Sequence, residues 1–283
     1  MSVIQASSVA SFAMTALGYD KQRLRVLARF DRHVYALAGE GDARSMLIFS
    51  PVSERMTPYT VRLETWPVYF DDNCEIFCNS QKICNGELII NLSDAAEIAS
   101  DCPVTEQYWR QRVCYEAALY DGACVQRHSE YLAAVLNDPF CQEVAGWSLT
   151  DLRQGLRLGD KNLIAAGVAQ GLGLGRGLTP AGDDFLCGVM LATYVSAEFP
   201  SDFFSDIFYD AQEKTTTVSY FFLKSASYRH ASEDWQKFLQ FYPLIHSVPE
   251  QRLRLVRPIT QHGYSSGEDT LAGFLWGLNV QLS

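Results

Sequence analysis

The sequence has no block of like charge, no apolar run long enough to span a bilayer, and no pair of histidines at metal-ligand spacing. Lys and Arg total 23 against 33 Asp and Glu, a net charge of −10 spread along the chain. Such a balance disfavours attraction to phosphate backbones or anionic lipid, so no nucleic-acid partner is expected. The densest apolar segments, residues 185–195 and 271–278, fall short of the roughly 20 residues a membrane helix needs, so no membrane partner is expected either. The first fourteen residues are small and apolar but carry no Lys or Arg ahead of their hydrophobic part, as a secretory signal would. They are read as a structural element, and the protein as cytoplasmic.

Other signals are absent as well. No Gly-Lys-Ser/Thr follows the glycines near residue 171, which excludes a P-loop. Gly171-x-Gly173-x-Gly175 follows a helical pattern, without the spacing of a dinucleotide fingerprint. The string Gly263-x-Ser265-x-Gly267 has no strand signal before it and does not make a nucleophile elbow. Cys74, Cys78 and Cys84 lack a fourth zinc ligand nearby. Cys114, Cys124, Cys141 and Cys187 lie in helical or apolar contexts and read as free buried thiols in a reducing compartment. His262 is the one histidine near a motif, and a surface or capping role suits it as well as proton transfer.

What is present is an ordinary globular composition, 283 residues at 48% hydrophobic, enough for one large domain or two smaller ones. Short β-branched and aromatic runs at 24–30, 33–38, 45–49, 59–63, 68–70 and 87–91, separated by turn sequences, predict a small barrel or sandwich. Beyond Thr105 the apolar period changes to that of helices, at 108–120, 129–136, 149–156, 162–170, 180–197, 217–228 with a continuation near 233–241, and 266–278. The expectation is an α+β protein: a β-rich part over 1–103 followed by a mostly helical part over 104–283.

The strongest signal is an internal echo. Ala181-Gly182-Asp183-Asp184-Phe185-Leu186-Cys187-Gly188 aligns without gaps on Ser266-Gly267-Glu268-Asp269-Thr270-Leu271-Ala272-Gly273, and each copy opens an apolar helix. Thr179 with Pro180 fits a helix start, and Ser265 with Glu268 fits a capping box. Gly188 and Gly273 thin one side of each helix, so the two can cross closely and bring their acidic tips together. Four acids beside helix N-termini can serve only to complement the helix dipole. That role, however, asks for neither flanking glycine. A functional reading must explain donors and acids together: backbone N–H groups around Gly173, Gly175 and Gly177, with Arg176, hold an anion, and Asp183, Asp184, Glu268 and Asp269 hold amide N–H groups or a divalent cation. The pattern identifies no definite cofactor, and Mg²⁺ is an ion it admits. Thr179, Thr217, Ser219, Ser265 and Ser266 add hydroxyls, which capping alone also accounts for.

The blocks Gly175 to Leu186, Thr216 to Ser219 and Gly263 to Gly273 resemble the signature blocks of the AllH family, long catalogued as a domain of unknown function. Ala181 stands where the family often has Ser. The resemblance implies a subunit of oxamate carbamoyltransferase in purine and allantoin breakdown, working with FdrA-like and AllG-type subunits. That enzyme joins oxalurate and phosphate to give oxamate and carbamoyl phosphate. It implies a small anionic amide or carbamoyl substrate, with catalysis by positioning, and leaves a non-catalytic assembly or ligand-sensing subunit as the alternative.

Overall fold

The computed structural model describes residues 2–102 and 149–282, apart from residues 19, 42–43, 72–73, 197–198, 200–202, 245–248 and 264. The expected helices at 108–120 and 129–136, with Cys114, Cys124 and Cys141, lie outside the described residues. The protein is α+β, and two compact units divide it: residues 1–101 with 230–236, and the remainder.

The first unit is a closed barrel. Strands β1 (Ser2–Ala10), β2 (Gln22–Arg29), β3 (Val34–Ala38), β4 (Ser45–Pro51), β5 (Thr60–Leu63), β6 (Ile76–Cys78), β7 (Lys82–Asn85) and β8 (Leu88–Asn91) pair in the ring order β5-β4-β3-β2-β6-β7-β8-β1, and β1 returns to β5. Closure leaves no edge among these eight. A ninth strand, β9 (Ala96–Ile98), runs parallel to the end of β1. Alternation along β3 sends Val34, Ala36 and Ala38 into a core shared with Leu47, Phe49, Val61, Leu63, Ile83 and Ile90. Helix α1 (Ser11–Leu17) adds Ala13 and Leu17 to that core.

Five of the six expected strands are found. Val68 to Phe70 is a correction: it forms no strand. Val68 and Phe70 are buried in the barrel core while Tyr69 is 77% exposed, so alternation there reflects an irregular segment laid over apolar surface. Strands β1, β6, β7 and β9 were not anticipated. Ser, Ala and Gln in β1, and the shortness of the others, weaken the β signal.

The second unit is helical: α2 (Thr150–Leu158), α3 (Lys161–Gly171), α4 (Ala181–Ser196), α5 (Thr217–Ser227), part of α6 (Glu233–Phe241), α7 (Pro249–Thr260) and α8 (Ser266–Leu282). The expected helix at 217–228 and its continuation near 233–241 are α5 and α6, separated by a turn in which Arg229 takes φ 65°. Helix α7 was not anticipated, and it runs through Pro258. Proline argues against helix interiors, and here it sits in the last turn, where one lost bond costs least.

Apolar residues surround α4 on every side, and Phe185, Leu186, Val189, Met190 and Tyr194 are all buried. Helix α8 crosses it at the two echoed glycines. A Cβ on Gly188 would be driven into the carbonyl oxygen of Thr270 and would stand 2.6 Å from the Phe274 nitrogen. A Cβ on Gly273 would be driven into the carbonyl oxygen of Phe185 and would stand 2.7 Å from its carbonyl carbon. Thr270 is the echo of Phe185, so the contacts are reciprocal, as across a local two-fold axis. The duplicated sequence thus makes a duplicated packing.

Candidate functional site

The two helices cross at Gly188 and Gly273, about two turns inside their N-termini, and their first turns are linked across the crossing. Asp184 and Asp269, equivalent positions of the echo, are 7% and 5% exposed and interact electrostatically. The Asp184 carboxyl is hydrogen-bonded by the Ser266 and Thr179 hydroxyls, and that of Asp269 by the Ser265 hydroxyl. Thr179 Oγ1 and Ser266 Oγ are 2.8 Å apart, linking the two helix starts. Each carboxyl keeps one buried oxygen, Oδ2, without a partner. An unpartnered buried oxygen of this kind costs about 1–3 kcal/mol, and more when charged. Two such atoms in one cluster mark a place where a ligand donor would be stabilised.

Burial pushes the Asp184 carboxyl well above its ordinary value, and the charges of Asp269 and Asp183 add to that. Burial likewise raises Asp269 to about 6, with a further push from Glu268. A carboxyl whose folded pKa exceeds its unfolded one stabilises the fold at low pH, and this stabilisation is lost as pH rises through the folded value. For Asp269 the window runs from 3.8 to about 6, and the full linkage is on the order of 2–3 kcal/mol. Asp269→Asn is therefore expected to melt higher than the wild type above pH 6, with a flatter Tm profile between pH 4 and 6. Parallel profiles from calorimetry at matched pH values would contradict the assignment.

The other two acids go elsewhere. Asp183 is fully buried and points back to its own approach loop: Gly173 N–H donates to Oδ1 at 2.8 Å, and Ser219 Oγ donates to Oδ2 at 2.7 Å. The Thr215 hydroxyl also donates to Oδ2. Burial raises this carboxyl too, against those three hydrogen bonds. Glu268 is exposed. The echo is thus broken at its first acid and kept at its second.

The hydroxyls divide in the same way. Thr217 is exposed at the start of α5, while Thr216 caps that helix by accepting from Ser219 N–H at 3.0 Å. Thr215, the first of the hydroxyl run 215–219 at the start of α5, is a partner of Asp183.

The glycine loop also sorts itself. Gly173, Gly175 and Gly177 adopt φ of 75°, 118° and 91°, conformations open to glycine at little cost. The N–H of Gly173 is taken by Asp183, so it does not face an outside anion. Arg176 and Gly177 are exposed. Among the described residues no three His, Cys, Asp or Glu side chains are grouped to hold a metal ion. No helix among them is long and apolar enough to cross a membrane.

Residues 171–278 match the family model AllH, described as oxamate carbamoyltransferase subunit AllH. No solved structure matches the chain. The matched segment runs from the end of α3 into α8 and contains both copies of the echo.

Proposed function

We propose that this chain, with its AllH match over residues 171–278, is the AllH-type subunit of an oxamate carbamoyltransferase in purine and allantoin breakdown, acting with FdrA-like and AllG-type subunits in the cytoplasm. The family is named as a subunit of that enzyme, and an enzyme subunit implies companions. In this reading Asp184 and Asp269, with Thr179, Ser265 and Ser266, receive the amide or carbamoyl N–H groups of the substrate. Backbone N–H groups of Gly175 to Gly177, with Arg176, face its anionic end. Oxamate, oxalurate and carbamoyl phosphate each carry amide N–H groups and anionic oxygens, and each can satisfy both halves.

The observation that supports this reading is the pair of unpartnered Oδ2 atoms on Asp184 and Asp269. Helix-dipole compensation alone would leave such acids at the surface, where water completes their hydrogen bonds. Holding substrate by fixed donors and acceptors supplies rate through orientation and electrostatics rather than a covalent nucleophile.

A second reading, a non-catalytic assembly or ligand-sensing subunit, is favoured by the glycines, which helix packing fully uses. Two measurements separate the readings. Carbamoyl phosphate formation from oxalurate and phosphate is expected with the partner subunits present and to be lost when this chain is omitted. Oxamate or oxalurate is expected to raise the Tm of the isolated chain, and not that of Asp184→Asn. A Tm indifferent to these ligands, together with turnover that survives omission of the chain, would sink the catalytic reading.

A further inference from the structure

We infer that the barrel unit carries a binding site of its own, a cavity beside β2 that takes a phosphorylated small molecule of the size of a sugar phosphate or a nucleotide. The cavity has a volume of about 710 Å³, within the roughly 300–1,000 Å³ of small-molecule sites. Four arginines line it, Arg23, Arg25, Arg29 and Arg44, against three carboxylates. In a chain of net charge −10 this is a local reversal of sign. The lining lies within residues 23–76, outside the 171–278 match, so the site is independent of the carbamoyltransferase reading.

Alternation along β2 builds the floor. Leu24 is buried in the barrel core, so Arg23 and Arg25 on either side of it are turned outward and exposed. One wall is the turn between β3 and β4. The Gly39 N–H donates to the Arg23 carbonyl at 2.9 Å, and Arg44 Nε donates to the Gly41 carbonyl at 2.8 Å, which fixes that guanidinium against the turn. The other wall is the approach to β6, and Asn85 on β7 holds it. This buried side chain donates to the carbonyls of Asp71 at 3.0 Å and Cys74 at 3.1 Å, and accepts from the Asp71 N–H. Beside that wall Arg29 Nη2 donates to the Phe70 carbonyl at 3.3 Å. Walls fixed in this way lower the ordering cost of binding.

The side chains select the ligand. Arg23 pairs with Glu75 at 3.0 Å while both side chains are more than half exposed, a weak pair that a ligand anion can replace. Among the described residues the Arg25 guanidinium has no ion-pair or hydrogen-bond partner. A tetrahedral phosphate accepts from several guanidinium forks at once, whereas one planar carboxylate is satisfied by a single fork. The acids set the rest of the ligand. Glu40 and Asp71 line the same cavity, and a carboxylate only accepts hydrogen bonds, so the molecule that seats here brings hydroxyl or amino donors along with its phosphate. Sugar phosphates and nucleotides carry both.

Isothermal titration of the purified chain tests the site with ribose 5-phosphate and with ADP, each against its unphosphorylated counterpart, ribose or adenosine, and with citrate as a carboxylate control. At least one of the two phosphates is expected to bind with Kd below about 1 mM, and its counterpart about tenfold more weakly or worse. The tighter of the two tells a sugar phosphate from a nucleotide. Arg25→Gln and Arg44→Gln are expected to weaken that binding about tenfold or more. Arg25→Lys should lose less, because it keeps the charge and gives up only the fork. Arg25 is exposed, so its variants are expected to melt within roughly 2 °C of the wild type. Binding of neither phosphate below that limit, citrate bound as tightly as the better phosphate, or binding that Arg25→Gln leaves unchanged would each overturn the inference.

Discussion

Gly273→Ala is expected to destabilise the helical unit by about 3 kcal/mol or more, or to prevent its folding. Alanine is the better helix former by about 1 kcal/mol, so at an ordinary helical position the change would help. Here the added methyl meets only backbone of α4: the carbonyl oxygen of Phe185, its carbonyl carbon at 2.7 Å and its Cα at 2.9 Å. No rotamer can relieve a clash with backbone, so α4 and α8 must separate. Separation loosens contacts the core depends on, among them Phe185 against Trp276 with ring centroids 5.6 Å apart. Gly188→Ala should behave alike, since its Cβ would stand 2.6 Å from the Phe274 nitrogen. Gly177→Ala is the contrast, because its Cβ would meet nothing within 4 Å and only its φ of 91° is strained, a cost of about 1–2 kcal/mol. Urea denaturation of the three variants checks the order. A Gly273→Ala protein as stable as the wild type would show that the helices do not cross there.

The crossing was legible in the sequence because a duplicated Gly at the same offset in two apolar helices has few local explanations. Gly188 and Gly273 carried that expectation, and the reciprocal contacts with Thr270 and Phe185 give it physical content. Helix positions were legible from a 3.6-residue apolar period in α2 and α6, and from a long apolar run behind a helix-start signal in α4 and α8. The barrel's closure was not. Strand β1 consists largely of Ser, Ala, Val and Gln, and nothing local says that it pairs with β5, β8 and β9. Long-range pairing is set by the whole ring. At the site the sequence supplied four acids as equals, but the fold separates them. Asp184 and Asp269 face one another's surroundings because they are equivalent in the echo. Asp183 turns away because Gly173, Thr215 and Ser219 form a ready-made acceptor site. Glu268 has one more methylene and is exposed. The choice between neighbouring acids lies in loop geometry, which residue type alone does not encode.

Asp183→Ala is expected to cost about 3–5 kcal/mol, more than any other single acid in the motif. Three donors converge on this fully buried carboxyl, and they come from the glycine loop, the residue before α5's cap, and α5 itself. Two of the donors are hydroxyls that can rotate toward other acceptors, but the N–H of Gly173 is fixed by its backbone and stays unpaired. Unpaired buried donors each cost about 1–3 kcal/mol, and the emptied volume adds a cavity. Asp183→Asn is expected to lose less, since its amide oxygen still accepts from Gly173 N–H and its NH₂ can donate to a hydroxyl. The pH dependence has a definite sign. Burial holds the Asp183 carboxyl above its ordinary value, so its contribution to stability is greatest at low pH and declines as pH rises through the folded pKa. The penalty for Ala should accordingly be larger at a pH below 3.8, where the contribution is fully present, than at pH 8. Chemical denaturation at both pH values measures it, and amide hydrogen exchange at Gly173 should accelerate in the Ala variant. A penalty below about 1 kcal/mol, with Gly173 still protected, would mean that the carboxylate does not tie the glycine loop to α5.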